Sequence, residues 1–247
     1  MEMRIGRIKI DNITRDETLS KIDHFLTGNN QYHIALLYSE FITQAYRDNY
    51  FKDIINNADL SLCDGQGLFL VLKIIKQPIK EQIAGVDLVD VICDNYSDIF
   101  LFGGEKKVVQ KVVNKYSDHI IGFADGYNDR SFVIDKINKV KPKIIFVALG
   151  MPAQEKWIAE NLEKMPSVRL AIGVGGAFDF IAARARRAPR FMQKAGLEWL
   201  WRFGRQPWRI GRIYNAVIVF PWLVFSKKVK VSTSRSDLKV RPRRSDL

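Results

Sequence analysis

The chain has 247 residues, 47% of them hydrophobic and 27% charged, with a formal net charge of +12. These values exclude wholesale disorder, and the length suffices for one well-buried α/β domain with an appendage. The two cysteines, Cys63 and Cys93, form neither a disulfide framework nor a CxxC metal pattern; both sit in apolar runs and read as buried thiols of a reducing compartment.

In chain order, Met1 to Asn12 alternates charged and β-branched residues and lacks the continuous apolar stretch of a signal peptide. Arg4 to Ile10 reads as a strand of period two. Thr14-Arg15-Asp16-Glu17 has capping-box form and opens an amphipathic helix towards Leu26. His33 to Tyr38 is the next apolar strand, followed by a helical stretch towards Asn57. Leu60 to Cys63 is a short strand running into Asp64-Gly65-Gln66-Gly67, and Leu68 to Ile75 is helical. Ile99 to Phe102 ends in Gly103-Gly104, before a helix from Glu105 to Tyr116. Ile144 to Leu149 is a near-continuous apolar run, as a strand covered on both faces should be. It ends at Gly150, and Pro152 suits the first turn of a following helix. Leu170 to Val174 is another such strand, ending in Gly175-Gly176. Apolar strands with glycine-rich exits into helices indicate a doubly wound, mostly parallel α/β sheet, whose ligands bind at the carboxyl ends of the strands.

The charge is unevenly placed. From Arg184 onward, 17 Lys or Arg face three acids, a net of +14, whereas the first 183 residues carry 22 bases and 24 acids, a net of −2. A block of this kind suits an anionic partner. Residues 1–188 read as the α/β domain and 189–225 as a helical, basic appendage that associates with membrane. In it Trp199, Trp201, Trp208 and Trp222 interleave with Arg202, Arg205, Arg209 and Arg212. Residues 226–247 are expected to be a disordered basic tail. No run approaches the roughly 18 to 20 apolar residues that span a bilayer; the nearest, Ala216 to Phe225, is short and carries Pro221. The expected location is cytoplasmic.

Several strand ends carry polar groups. Asp64, followed by two glycines, has the placement of a general base, although Asp-Gly equally forms a turn or a helix N-cap. Gly173-Val174-Gly175-Gly176 lacks the GxGxxG spacing of an NAD site. Gly150, Pro152, Gln154, Glu155 and Lys156 place hydrogen-bonding groups where a nucleobase or phosphate can be held, or are simply solvated helix polarity. The histidines are scattered and there is no Asp-x-Asp, so no metal is expected. The arginines of the appendage suit a diphosphate, and its tryptophans with Phe220 suit a lipid interface; a structural helix pair is the alternative.

These stretches together resemble the WecG/TagA/CpsF family of bacterial glycosyltransferases. The resemblance runs through Leu62-Cys63-Asp64-Gly65-Gln66-Gly67, Ala84-Gly85-Val86-Asp87-Leu88 and Phe146 to Trp157. It continues through Gly173-Val174-Gly175-Gly176-Ala177-Phe178-Asp179, Arg187-Ala188-Pro189, Gly196 to Arg202 and Pro207-Trp208-Arg209. It implies a Rossmann-like fold and an inverting, metal-independent transfer of an N-acetylmannosamine-type sugar or uronic acid. The donor would be a UDP-sugar, with no separate cofactor, and the acceptor a polyprenyl-diphosphate-linked saccharide in surface polysaccharide synthesis. It makes residues 1–188 the catalytic domain and 189–225 a site-completing appendage, and carries the general base to Asp64 and diphosphate stabilisation to Arg202, Arg209 and Arg212. Its substrate-binding positions fall on Tyr38, Glu40, Gly65, Gln66, Gly67, Gln82, Gly150, Pro152, Gln154, Glu155, Gly175, Gly176, Asp179 and Glu198. An anionic membrane surface is the further partner, which places the enzyme peripherally on the inner face of the cell membrane; nucleic acid is not expected, and a homo-oligomer remains open.

Two stretches depart from the family pattern. Leu36-Leu37-Tyr38 replaces a Thr-Pro-Asn group, and Gln82-Ile83 stands where relatives have an Arg before Ala-Gly-x-Asp-Leu. Losing a cation that meets developing phosphate charge removes several kcal/mol of transition-state stabilisation. The alternative reading is therefore a non-catalytic nucleotide-binding module associating with membrane or nucleic acid.

Overall fold

The computed structural model describes residues 2–77, 79–184, 188, 189, 192, 201, 204, 211, 214–226 and 231–234. The N-terminal alternation resolves into a hairpin, β1 (Glu2–Ile5) and β2 (Ile8–Asp11). The single strand expected over Arg4 to Ile10 is thus two, because Gly6 takes a φ of 59° and reverses the chain. Next comes α1 (Arg15–Thr27), whose capping box is closed in both directions: Glu17 N–H donates to Thr14 Oγ1 at 3.2 Å and Thr14 N–H to Glu17 Oε2 at 2.7 Å.

The rest of the body alternates strand and helix: β3 (Tyr32–Leu37), α2 (Ser39–Arg47), α3 (Asn49–Asn57), β4 (Leu60–Cys63), α4 (Gln66–Ile74), α5 (Gly85–Asn95), β5 (Ile99–Gly103), α6 (Lys106–Lys115), β6 (Ile120–Ala124), α7 (Arg130–Val140), β7 (Ile144–Ala148), α8 (Ala153–Asn161), β8 (Leu170–Gly173) and α9 (Ala177–Ile181). The helical stretch read as one to Asn57 breaks at Asp48, whose carboxylate accepts from Phe51 N–H at 3.0 Å and caps α3.

Six strands form one sheet in the order β4-β3-β8-β7-β5-β6, every neighbouring pair parallel. A strand's side chains alternate between faces, so a sheet covered on both sides needs apolar residues throughout. Ile34, Leu36, Phe146 and Ile172 pack under α1, α5, α6 and α9. On the other face, Ala35 and Leu37 meet α2, α3 and α4, while Ile145, Val147 and Ala171 meet α7 and α8. This is the Rossmann-like, doubly wound parallel sheet that the sequence implied.

Two expectations for the C-terminal quarter are corrected. Tail residues Val231–Ser234 form a strand, β9, which pairs antiparallel with β1 from Glu2↔Ser234 to Ile5↔Val231. The edge of the N-terminal hairpin offers unpaired backbone groups, which recruit a segment that composition alone marks as disordered. Before it, a π-helical turn (Asn215–Val219) leads into α10 (Phe220–Phe225). Phe220, assigned to a lipid interface, is fully buried and packs with Leu223 and Val224 against the α2 and α4 side of the sheet. Phe220→Ala should therefore cost about 3–5 kcal/mol of stability, as loss of a core aromatic does; denaturant unfolding checks this, and an unchanged midpoint would return Phe220 to the surface.

Candidate functional site at the strand ends

Parallel strands finish on one edge, so the exits of β4, β3, β8 and β7 lie side by side. The β8 exit leaves towards one face, into α9, whereas its neighbours β3 and β7 leave towards the other, into α2 and α8. Such divergence opens a crevice at the carboxyl ends. The sequence candidates Tyr38, Asp64 to Gly67, Gly150 to Glu155 and Gly175 to Asp179 all fall on this edge.

Asp64 is held by main chain. Its own N–H and that of Gly65 both donate to the Leu37 carbonyl, at 2.9 and 3.0 Å. A side chain at Gly65 would set its Cβ 2.3 Å from the Cβ of Tyr38, so only glycine lets these two exits meet. Asp64 is not the N-cap of α4; that place belongs to Gly65. Its Oδ1 instead accepts from Gly85 N–H, the first residue of α5, at 2.8 Å. The carboxylate is thereby oriented by a helix distant in sequence. Gln82, standing where the family pattern has Arg, donates its amide to the Asp64 carbonyl, and Ile83 N–H donates to the Cys63 carbonyl at 2.8 Å. The residue that departs from the pattern thus braces the backbone of Asp64.

Tyr38 precedes α2 and packs edge-on against Phe41, with ring centroids 4.7 Å apart; Glu40 lies in the first turn of that helix. Gln66 opens α4, and Gly67 faces the C-terminal segment, with the Ala216 carbonyl and Ser39 Oγ each 3.9 Å from where a Cβ would lie.

At β7 and β8 the geometry corrects one expectation. Gln154 and Glu155, proposed to meet a ligand, are turned inward: 2% and 0% of each is exposed. Gln154 Oε1 accepts from Gly150 N–H at 3.1 Å and Gly175 N–H at 2.9 Å, tying the two exits together. Its Nε2 donates to Glu155 Oε1 at 2.7 Å. Gly173 is required beneath them, since a Cβ there would lie 2.6 Å from Gln154 Nε2 and 2.7 Å from Glu155 Oε1. Gly150 and Gly175 adopt φ of 75° and 51°, and Gly150 has open space where a Cβ would point. Pro152 is the N-cap residue of α8, one place before the first turn assigned to it, and Gly176 precedes α9.

Asp179 faces Arg184, whose Nε lies 3.9 Å from its Oδ1 and whose Nη1 pairs with Glu105 at 2.7 Å. Arg184 and Glu105 were missed as site candidates. The only sequence signal was Glu105 following the glycine pair at the end of β5. Glu198, Arg202, Arg209 and Arg212 lie outside the described residues. Among the described residues no cluster of three or more His, Cys, Asp or Glu is placed to hold a metal.

Tyr214, Ile218, Trp222 and Phe225 are each more than half exposed. Their spacing of four, four and three puts them on one helical face, opposite buried Phe220, Leu223 and Val224. Since Ala216 approaches Gly67, this apolar stripe belongs to a segment on the Asp64 side of the sheet.

Burial pushes the Glu155 carboxyl up to about 7, from 4.5 in the free residue, against the smaller lowering effect of its hydrogen bond with Gln154. The adjacent Lys156 pairs with Asp48 at 2.9 Å. Between these two values the folded chain keeps a proton that the unfolded chain releases. The stabilising difference is complete below about 4.5 and lost as pH rises through about 7, a change of about 3 kcal/mol. Glu155→Gln should flatten that decline in urea unfolding compared at pH 5 and 8; an unaltered slope would assign the decline to other groups.

The sequence model of the Glycosyl transferase WecG/TagA/CpsF family matches residues 3–234. A Bacillus subtilis (strain 168) protein named N-acetylglucosaminyldiphosphoundecaprenol N-acetyl-beta-D-mannosaminyltransferase is 34% identical over 74% of this chain and 75% of its own. Proteins of the same name from Bacillus spizizenii and Staphylococcus aureus (strain MW2) are 32% and 27% identical, over 77% and 92% of this chain and 78% and 94% of theirs. On the family match over nearly the whole chain, together with the six-stranded sheet, the chain belongs to the WecG/TagA/CpsF family of glycosyltransferases.

Proposed function

We propose that the enzyme moves an N-acetylmannosamine-type sugar from a UDP donor to a polyprenyl-diphosphate-linked saccharide, inverting the anomeric centre and using no metal or resident cofactor. The observation that carries this reading is Asp64, fixed through Gly85 and Gln82 at the strand-end crevice. The named relatives act on an N-acetylglucosaminyl-diphosphoundecaprenol acceptor, as their name states. In the proposed step, Asp64 takes the proton of the acceptor hydroxyl as that oxygen bonds to the anomeric carbon. The bond to the diphosphate oxygen breaks in line and UDP departs with the electron pair. The exits around Gly150 and Gly175 hold the nucleotide diphosphate, and Arg202, Arg209 and Arg212 offset its developing charge. A uronic acid is the second donor class to test. Asp64→Asn should lower turnover about 10²- to 10⁴-fold, with UDP affinity largely kept; single-turnover assays with a short-chain lipid-diphosphate acceptor measure both, and undiminished turnover removes Asp64 as the base.

The same reading puts the enzyme on an anionic membrane surface at the cytoplasmic face. None of the helices is long and apolar enough to cross a membrane among the described residues. The exposed stripe Tyr214, Ile218, Trp222 and Phe225, within a region of net charge +14, has the composition of an interfacial helix. Replacing Ile218, Trp222 and Phe225 by Ser should reduce retention on phosphatidylglycerol vesicles by about an order of magnitude, since each buried apolar side chain adds to interfacial binding. Equal sedimentation of variant and parent would overturn the assignment.

A further inference from the structure

Glu155 is an acid kept fully out of water, where a carboxyl group is unfavourable without partners. Among the described residues its one side-chain partner is the Gln154 amide, and Oε2 has none. Volume alone does not explain an acid there, because a methionine fills a similar space without a polar atom.

The explanation lies in the direction of the Gln154 amide. Its oxygen meets two donors, the N–H groups of Gly150 and Gly175. Were the amide turned over, its NH₂ group would face those two donors and no acceptor would remain between the exits. An acceptor at Glu155 Oε1, 2.7 Å from Nε2, favours the orientation that bridges β7 to β8. Gly173 leaves the space in which the two side chains lie over the sheet. The bridged glycines have left-handed backbone, and the loops that follow them line the crevice.

We propose that Glu155 is a positioning residue for donor binding: by orienting Gln154 it fixes the spacing of the β7 and β8 exits between which the nucleotide diphosphate sits. This rests on the donor site proposed above. Glu155 touches no reacting atom, so its effect belongs in donor affinity rather than in the transfer step.

The test compares Glu155→Met, which keeps volume and removes the acceptor, with Glu155→Gln, which keeps an acceptor oxygen. Steady-state kinetics with UDP-N-acetylmannosamine, calorimetric titration with UDP and thermal unfolding are measured on the full chain. Glu155→Met should raise the donor KM and the UDP Kd about tenfold, with kcat changed less than threefold and a midpoint at or above that of the parent. Glu155→Gln should bring KM and Kd back to within threefold. Parent-like donor binding by Glu155→Met, or equal losses of binding and stability in both variants, would overturn the proposal and leave the donor site standing. Failure of the parent itself to bind UDP would overturn the donor site, and this inference with it.

Discussion

A parallel sheet must be roofed on both faces, because its strands are joined by crossovers that place helices above and below. In this chain that constraint governs the rest. Strands such as β5 and β7 are buried on both faces, their parallel pairing ends every strand on the same edge, and the change of face at β8 sends its exit away from those of β3 and β7. The crevice is a consequence of topology before any polar residue is considered.

What makes the edge specific is close main-chain approach. Gly65 against Tyr38 and Gly173 under the Gln154–Glu155 pair have no room for a Cβ. Each removes a side chain so that a hydrogen-bonded connection can pass between strands. Through them Asp64 is held by Leu37 and Gly85, and the β7 and β8 exits by Gln154. Fixed geometry of this kind lets a carboxylate act on a substrate hydroxyl without reorganising first.

The C-terminal segment joins the body by the same economy of surfaces. α10 gives Phe220, Leu223 and Val224 to the core and keeps Trp222 and Phe225 outside, while β9 completes the N-terminal hairpin sheet. A segment so integrated couples the apolar outer stripe to the position of α2 and α4, the helices that begin beside Asp64.

Residue types alone marked β3, β4, β5, β7 and β8, the glycine-rich exits and the candidate base, but not the split of β1 from β2, nor β6 and β9. Burial on both faces leaves continuous apolar runs such as Ile144 to Ala148, and a sharp exit needs glycine; both are written in residue types. The capping box at Thr14 was legible for the same reason, since its partners are three residues apart. How those groups are used follows from long-range packing. Gly85 reaches Asp64 across 21 residues and Gly175 reaches Gln154 across the same interval. Phe220 is core rather than interface because α2 and α4 happen to face it, and β9 forms because β1 has an open edge. Each of these depends on which elements the sheet order makes neighbours, and local periodicity carries no record of that order.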